Sequence, residues 1–299
     1  MSRSRYGADA PTRPPGGAPE RVGVLGGGRM GAGIAHAFLL AGSHVTVVER
    51  DDAAAEGARG RVLDSVAASV ARGTTDETAE ALGGRLAVAT EVDGFADAGL
   101  VVEAVPEDLD LKVDALTRVE GVLAADAALA SNTSSISIDE LAGRLDRPAR
   151  FLGMHFFNPV PASALVEVVR GTGTDGALVE EARGWVQAIG KTPIIVHDAP
   201  GFASSRLGVA LGLEAIRMLE EGVASAEDID AAMALGYKHP VGPLKLTDLV
   251  GLDVRLGIAE YLAGELGERF EPPALLRRMV AEGKLGRKTG EGFYLWDAQ

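Results

Sequence analysis

A short apolar segment followed by a glycine-rich loop most constrains how this 299-residue chain can fold. Residues 22–25 read Val-Gly-Val-Leu, which is typical of a buried strand, and Gly26, Gly28 and Gly31 then satisfy the spacing G-x-G-x-x-G. An apolar-periodic helix follows, and a second apolar strand leads to the carboxylate of Glu49. Glycines alone would indicate little, and a generic glycine-rich α/β turn is the alternative. In this order, however, the pieces predict a dinucleotide-binding βαβ unit.

Each part of this unit has a physical task in holding a dinucleotide. Gly26 permits the tight turn, Gly28 lets a pyrophosphate approach the backbone, and Gly31 lets the helix pack close to the strand. The start of the helix offers free N–H groups and the positive end of its dipole to the phosphates. We therefore expect Arg29 and Met30, which follow Gly28, to line the same cofactor site.

The acid after the second strand predicts which dinucleotide binds. Glu49 is placed to accept hydrogen bonds from the adenosine ribose hydroxyls, and its charge repels a 2′-phosphate. NAD is therefore favoured over NADP. Arg50 is a signal in the opposite direction, because an arginine beside that ribose can hold a 2′-phosphate.

Composition excludes several classes of function. The net charge of −14 argues against a nucleic-acid partner, and no apolar run approaches the roughly 20 residues that a membrane span needs. The chain has no cysteine, and its five histidines lack ligand spacing, so we expect no metal site. Residues 1–20 hold Arg, Gly and Pro without the apolar region of a secretory signal, and we expect a disordered tail and a cytoplasmic location.

Strand and helix patterns alternate through the first two thirds of the chain, which predicts a Rossmann-type, doubly wound and mostly parallel sheet. We expect this NAD-binding domain over residues 21–199 and an all-α domain for substrate binding and dimerisation over 200–299. The predicted strands are 22–25, 45–49, 85–89, 99–105, 129–130, 151–157, 164–169 and 193–196. Helices are predicted at 52–72 and 109–124, and in the second domain at 202–221, 226–235, 243–266 and 272–282.

Two polar residues lie on apolar strands and are candidates for acid–base chemistry. His155 shares a strand face with Phe157, and Glu167 shares one with Leu165 and Val169. A carboxylate among aliphatic side chains is costly unless it is paired, so we expect these two residues to hydrogen-bond to each other. Such a pair fixes the imidazole tautomer and suits proton transfer near neutral pH. The alternative is that His155 is a core histidine with no role in chemistry.

A set of motifs in fixed order extends this interpretation over nearly the whole chain. They are residues 26–33, Val101-Val-Glu-Ala-Val-Pro-Glu107, Ser131-Asn-Thr-Ser-Ser135, His155-Phe-Phe-Asn-Pro-Val160, Asp198-Ala-Pro-Gly-Phe202 and Gly286-Arg-Lys-Thr-Gly-Glu-Gly-Phe-Tyr294. With them the chain resembles the L-3-hydroxyacyl-CoA dehydrogenase family, in particular the bacterial 3-hydroxybutyryl-CoA dehydrogenases. The resemblance implies reversible NAD-dependent oxidation of an (S)-3-hydroxyacyl thioester to the 3-ketoacyl thioester, and a homodimer formed through the helical domain.

The resemblance also implies roles for single residues. His155 is then the catalytic base, Glu167 orients it, and Ser134 and Asn158 contact the substrate oxygen and its surroundings. Further positions that match the NAD site are Glu107, Lys112, Ser134 and Lys288. The alternatives without a functional role are a turn residue at the end of a strand for Ser134 and a surface lysine for Lys288.

The helix over 52–72 carries the residues that the resemblance assigns to CoA. Ser65 and Arg72 match positions that touch CoA in the family. Arg59, Arg61 and Arg72 also form a local cationic strip that suits CoA phosphates in an acidic protein. For Arg59 and Arg61 the alternative is a solvated helix face.

One departure from the family pattern bears on the substrate. Ser205 stands in Pro200-Gly-Phe-Ala-Ser-Ser-Arg206, where the family has an asparagine that helps to hold the substrate oxygen. A serine is shorter, so it reaches through water or makes room for another acyl group. This leaves open a paralogue that acts on a carboxylated acyl group such as 3-hydroxyadipyl-CoA, or on a hydroxyacyl carrier protein.

Two other classes remain as alternatives. The β-hydroxyacid dehydrogenases share the glycine fingerprint but use a catalytic lysine, and the Ser131–Ser135 and His155–Val160 motifs argue against them. A non-catalytic, NAD-binding structural protein is disfavoured because His155, Glu167 and Ser134 are all present.

Overall fold

The computed structural model describes residues 17–297, which divide into two compact units between Asp198 and Ala199. In the described part of the chain, the first unit contains an eight-stranded sheet with helices, and the second unit is helical. The strands are β1 Arg21–Leu25, β2 His44–Val48, β3 Leu86–Ala89, β4 Leu100–Glu103, β5 Ala128–Ser131, β6 Phe151–Phe156, β7 Leu165–Arg170 and β8 Thr192–His197. None of the helices within residues 17–297 has the length and apolar character needed to cross a membrane.

The strand order β3-β2-β1-β4-β5-β6-β7-β8 confirms the predicted doubly wound sheet. Every neighbouring pair is parallel except β6 and β7. The order reverses at β1, whose neighbours are β2 on one side and β4 on the other. Ligands of such sheets bind at the carboxyl ends of the strands beside this reversal, and the glycine-rich loop follows β1 there.

The helices of the first unit bury their apolar faces against this sheet. They are α1 Arg29–Leu40, α2 Asp52–Arg72, α3 Ala79–Gly83, α4 Leu109–Val122, α5 Ile138–Ala142 and α6 Gly176–Ala188. Fully buried Ile34 and Phe38 of α1 belong to the same core as Val24 and Val47 of the sheet. Because both faces of the central strands are covered, β4 and β5 are buried at every position, including Glu103 and Ser131 at their ends.

Helix α6 was not among the predicted elements, although its sequence carries the signals of a helix. Asp175 caps its N-terminus by accepting from the Ala177 N–H, and its apolar residues repeat at helical spacing. Those buried residues are Leu178, Val179, Ala182, Trp185 and Val186.

The second unit contains α7 Ser204–Glu220, α8 Ala226–Ala231, α9 Pro243–Val250, α10 Leu252–Leu266 and α11 Ala274–Ala281. The single helix predicted over 243–266 is therefore two helices. They are separated by Gly251, whose φ of 107° lies outside the helical region. A π-helical turn over Ala232–Gly236 also ends the predicted 226–235 helix differently from a regular one.

A buried carboxylate fixes the last part of the described chain within the second unit. Asp248 is 1% exposed and accepts hydrogen bonds from the backbone N–H groups of Phe293 and Tyr294 and from Nε1 of Trp296. The segment that follows α11 therefore folds back onto α9, although it contains no long helix.

The predicted disordered tail over residues 1–20 falls mostly outside the described residues, which begin at Gly17. At its end, the Pro19 carbonyl accepts from the Ser43 hydroxyl at 2.7 Å, and the Glu20 carbonyl accepts from the His44 N–H at 2.8 Å. The folded chain therefore begins before Arg21, because these carbonyls satisfy donors at the start of β2.

Candidate active site

The reversal of β7 brings the two candidate acid–base residues together. In the antiparallel register of β6 and β7, His155 lies directly opposite Glu167. The Nδ1 atom of His155 is 2.7 Å from Oε2 of Glu167, so the predicted hydrogen bond is present. The two residues are 6% and 0% exposed, respectively. Cross-strand neighbours of this kind are held by the backbone of both strands, which leaves little freedom for the pair to separate.

This geometry favours one tautomer of the imidazole. A carboxylate only accepts hydrogen bonds, so Nδ1 of His155 donates to Glu167 and Nε2 becomes the nitrogen that exchanges a proton. The Phe157 ring lies 4.5 Å from the imidazole ring, centroid to centroid, and supports its orientation. The arrangement can take up a proton at one defined atom and stabilise the resulting imidazolium.

The Ser131–Ser135 loop at the end of β5 is organised by one carboxylate. The Oε1 atom of Glu107 accepts from the Thr133 hydroxyl at 2.7 Å and from the backbone N–H groups of Ser134 and Ser135 at 2.9 and 3.0 Å. The hydroxyls of Ser135 and Ser134 also reach it, at 3.0 and 3.2 Å. The Ser134 hydroxyl makes the longest of these contacts, so it is the one most readily redirected to a ligand.

The charge of Glu107 is stabilised where it lies. Burial by itself raises the pKa of this carboxyl, but the nearby Lys112 ammonium and the donors of the loop outweigh it, and the pKa is lower than its usual value. Glu107 is thus an anion that fixes the backbone of the loop that presents Ser134.

Lys112 is placed differently from what its predicted role would suggest. Its side chain is 1% exposed, and its Nζ donates to Oε1 of the fully buried Glu103 at 2.7 Å and to the Val105 carbonyl at 3.2 Å. The same Nζ is 3.4 Å from Oε2 of Glu107. The structure therefore commits this ammonium to two carboxylates instead of presenting it at the surface of the cofactor loop.

Two residues without a predicted role connect these parts. Glu103 accepts from the Ser131 hydroxyl at 2.6 Å, which joins the ends of β4 and β5. The Oδ1 atom of Asn132 accepts from the Phe156 N–H at 2.8 Å, which ties the loop to β6 one residue after His155. The sequence offers one signal for these two residues. Both stand at strand ends, inside motifs whose other members have predicted roles.

The glycine loop has room for a dinucleotide at the expected place. A Cβ atom added at Gly28 would meet no protein atom within 4 Å, whereas one at Gly31 would lie 1.8 Å from the Gly26 carbonyl oxygen. The loop is thus open at Gly28 and closed by helix packing at Gly31. Arg29 and Met30 form the first turn of α1 beside that opening. The residues present fit a bound dinucleotide phosphate.

The acid after β2 also lies against this loop. Oε1 of Glu49 accepts from the Gly27 N–H at 2.8 Å, which orients the carboxylate toward the ribose position of a Rossmann site. The neighbouring Arg50 is largely exposed, and its Nε pairs with Asp51 at 3.1 Å.

The residues assigned to CoA are distributed along α2. The Ser65 hydroxyl donates to the Arg61 carbonyl within the helix, and exposed Arg72 contacts the Ser69 hydroxyl at 3.4 Å. The predicted cationic strip of Arg59, Arg61 and Arg72 is interrupted, because Nε of Arg61 donates to the Gly27 carbonyl at 2.9 Å. Arg61 is therefore directed to the glycine loop.

The remaining predicted site residues lie at an exposed strand end and in the second unit. Asn158 is exposed, lies two residues after the end of β6 and precedes Pro159 through a cis peptide bond. Ser205 is the second residue of α7. Nζ of Lys288 forms an ion pair with Asp253 in the first turn of α10.

Comparison with known proteins assigns the family. Residues 21–199 match the model of the 3-hydroxyacyl-CoA dehydrogenase NAD-binding domain, and residues 201–296 match that of the 3-hydroxyacyl-CoA dehydrogenase C-terminal domain. A probable 3-hydroxybutyryl-CoA dehydrogenase of Deinococcus radiodurans is 42% identical over 275 residues, covering 92% of this chain and 99% of the relative. A 3-hydroxybutyryl-CoA dehydrogenase of Mycobacterium tuberculosis is also 42% identical, over 281 residues, covering 93% and 98%.

A solved structure agrees with these relatives. The crystal structure of (S)-3-hydroxybutyryl-CoA dehydrogenase from Ralstonia eutropha matches with a TM-score of 0.89 and 40% identity, covering 94% of this chain and 100% of that one. The predicted family and NAD-binding fold are confirmed. The chain belongs to the 3-hydroxyacyl-CoA dehydrogenase family, whose NAD-binding and C-terminal domains account for residues 21–296 almost without interruption.

Proposed function

We propose that this protein is an NAD-dependent dehydrogenase that interconverts short-chain (S)-3-hydroxyacyl-CoA and 3-ketoacyl-CoA thioesters. The observation that carries the proposal is the buried His155–Glu167 hydrogen bond across β6 and β7. Membership of the 3-hydroxyacyl-CoA dehydrogenase family and the names of the 42%-identical relatives support the substrate class.

The chain's own residues have defined tasks in this reaction. His155 takes the proton of the substrate hydroxyl at Nε2 during oxidation and returns it during reduction, while Glu167 stabilises the imidazolium. Ser134, with Asn158 or Ser205, positions the substrate oxygen. NAD, when bound, supplies the hydride acceptor.

Other residues hold the cofactor and the carrier in this proposal. The open loop at Gly28 and the start of α1 receive the pyrophosphate, and Glu49 receives the adenosine ribose. Glu107 fixes the backbone of the Ser134 loop, and Lys112 supports Glu107. The family resemblance also assigns Lys288 to the NAD site. Ser65 and Arg72 contact CoA.

The first experiment removes the base. His155→Gln should lower kcat for (S)-3-hydroxybutyryl-CoA, followed by NADH absorbance, by about 10²–10⁴-fold, with NADH affinity unchanged. His44→Gln is the matched control, because His44 is exposed at the start of β2. Turnover of His155→Gln close to that of the control would remove the acid–base assignment.

The acyl group is tested at Ser205. If this serine marks a preference for a larger or carboxylated acyl group, Ser205→Asn should raise kcat/KM for 3-hydroxybutyryl-CoA relative to 3-hydroxyadipyl-CoA. Wild-type kcat/KM across these thioesters and a hydroxyacyl carrier protein then identifies the carrier and the acyl group. An unchanged ratio in the variant removes the idea that Ser205 sets specificity.

We also propose a homodimer formed through the helical unit. Most of the large apolar side chains exposed in residues 17–297 belong to that unit: Leu207, Val223, Leu235, Tyr237, Leu246, Val250, Val254 and Leu295. The concentration of exposed apolar side chains in one unit favours that unit as the site of subunit contact. Light scattering coupled to size exclusion should give twice the mass of one chain, and a monomer at micromolar concentration would contradict the proposal.

A further inference from the structure

One residue of the glycine loop, Gly27, is held at both of its backbone polar groups by charged side chains. The Gly27 N–H donates to Oε1 of Glu49 at 2.8 Å, and the Gly27 carbonyl accepts from Nε of Arg61 at 2.9 Å. Glu49 follows β2, whereas Arg61 lies in the third turn of α2. A carboxylate and a guanidinium that belong to different elements thus fix the orientation of the same loop residue.

The close approach of α2 to the loop depends on the residue type at Gly27. A Cβ atom there would lie 2.4 Å from the Cβ of Ala58 and 2.9 Å from Cγ1 of Val47, distances that real side chains do not adopt. Helix α2 therefore rests directly on Gly27 through Ala58. Arg61, less than one turn further along, is brought within reach of the carbonyl by this contact.

The Arg61 side chain donates to the Gly27 carbonyl and forms no ion pair with an acid within residues 17–297. The residue is otherwise exposed to solvent. The other arginine near the ribose position, Arg50, is paired with Asp51. A guanidinium has five N–H donors, so Arg61 can hold Gly27 and still face a ligand at the loop.

We propose that Arg61 is a positioning residue for the adenosine end of NAD. By holding the Gly27 carbonyl it restrains the backbone of the residue whose own N–H donates to the Glu49 carboxylate, and so keeps that carboxylate in place for the ribose hydroxyls. The inference rests on the proposed function, in which Glu49 binds the ribose. It assigns Arg61 to the cofactor and not to the CoA phosphates.

The test replaces the donor and keeps the aliphatic stem. Arg61→Met should raise the KM for NAD⁺ by about 3- to 10-fold, the range that one net hydrogen bond represents, with kcat and the KM for (S)-3-hydroxybutyryl-CoA unchanged. Arg183→Met is the control, since Arg183 is an exposed helix arginine of the same unit that pairs with Glu180 and has no assigned role in binding. Arg61→Lys retains a donor and should restore at least half of the lost affinity.

A second readout separates positioning from a general effect on the fold. Competitive inhibition by AMP should weaken in Arg61→Met by the same factor as the KM for NAD⁺, whereas inhibition by NMN, the other half of the cofactor, should not change. The inference is overturned if AMP affinity changes by less than about twofold, or if AMP and NMN weaken equally. It is also overturned if the KM for the thioester rises in place of that for NAD⁺, since Arg61 then serves CoA.

Failure of the inference is distinguishable from failure of the proposed function. Wild-type protein that oxidises (S)-3-hydroxybutyryl-CoA with NAD⁺, together with an Arg61→Met variant that equals it, refutes only the role of Arg61. Wild-type protein that binds neither AMP nor NADH refutes the proposed function itself.

Discussion

Replacement of Glu167 by glutamine tests the electrostatic part of the proposed mechanism. The amide keeps the size of the side chain and can still accept the hydrogen bond from Nδ1 of His155, which is 2.7 Å away in the wild type. What it loses is the negative charge. The variant therefore isolates the stabilisation of the imidazolium from the orientation of the ring.

The magnitude follows from the distance between the two groups. The charge centres of an imidazolium and a carboxylate in this contact are about 4 Å apart, and at an effective dielectric constant of about 20 their attraction is about 4 kcal/mol. At 1.36 kcal/mol per decade, that corresponds to a decrease of about three orders of magnitude in kcat for oxidation, if the proton transfer limits turnover. Because Glu167 is fully buried, solvent does little to screen the interaction.

Steady-state oxidation of (S)-3-hydroxybutyryl-CoA, followed by NADH absorbance, measures this effect. NADH affinity and the urea midpoint should be measured on the same preparations, so that a decrease in kcat is not confused with unfolding. Glu181→Gln is a suitable control, because Glu181 is a half-exposed acid whose one ion pair within residues 17–297 is with Arg150. A folded Glu167→Gln protein with kcat within about threefold of wild type would refute the electrostatic reasoning.

Three further predictions concern the residues that support the Ser131–Ser135 loop and the glycines of the dinucleotide loop. Lys112→Met should lower the free energy of unfolding, measured in urea, by about 3–5 kcal/mol, because the Glu103 carboxylate stays buried without a positive partner. A loss below about 1 kcal/mol would contradict the role of this ion pair in stability. Because the pKa of Glu107 is lowered on folding, its ionised form stabilises the protein above the usual pKa, and this contribution is lost as pH falls through the lowered value. The difference in unfolding free energy between wild type and Glu107→Gln should therefore shrink as the pH is lowered from about 5 to 3, and a constant difference would argue against it. Gly31→Ala should lower the midpoint of unfolding in urea, since its Cβ would overlap the Gly26 carbonyl oxygen. Gly28→Ala should leave that midpoint unchanged and weaken NADH binding. Equal midpoints for the two variants would contradict the packing assigned to Gly31.

The strands and the candidate dyad were predictable from the sequence because their constraints are local. Alternation along a strand gives the face of each side chain, and a carboxylate on an aliphatic face requires a partner. The hydrogen bond between His155 and Glu167 was predicted by this argument. The antiparallel direction of β7, which sets them opposite each other, did not follow from either strand, since it depends on pairing between segments.

Side-chain contacts that depend on tertiary packing were not predictable in the same way. The Glu103–Lys112 pair depends on how α4 packs beside the end of β4, and the bond from Arg61 to Gly27 depends on how closely α2 approaches the glycine loop. Charge and helical spacing placed Arg61 on a cationic face. Only the packing of Ala58 on Gly27 shows which way the guanidinium is directed.

Helix boundaries show a third limit. The pattern over residues 243–266 is apolar-periodic on both sides of Gly251, so periodicity alone predicts one helix. The positive φ of this glycine breaks it, and the carbonyl of Leu285 accepts from the Leu252 N–H at the break. A glycine inside a helical pattern is compatible with either outcome, and tertiary contacts decide between them.

The position of the dyad inside the sheet affects the order in which parts of the protein unfold when it is inactivated. His155 and Glu167 lie on neighbouring interior strands of the sheet, β6 between β5 and β7 and β7 between β6 and β8. Amides in such places exchange with deuterium only when most of the domain opens. Gradual inactivation by heat or dilute urea should therefore begin at the exposed turn around Asn158, while the His155–Glu167 pair persists until the sheet itself unfolds.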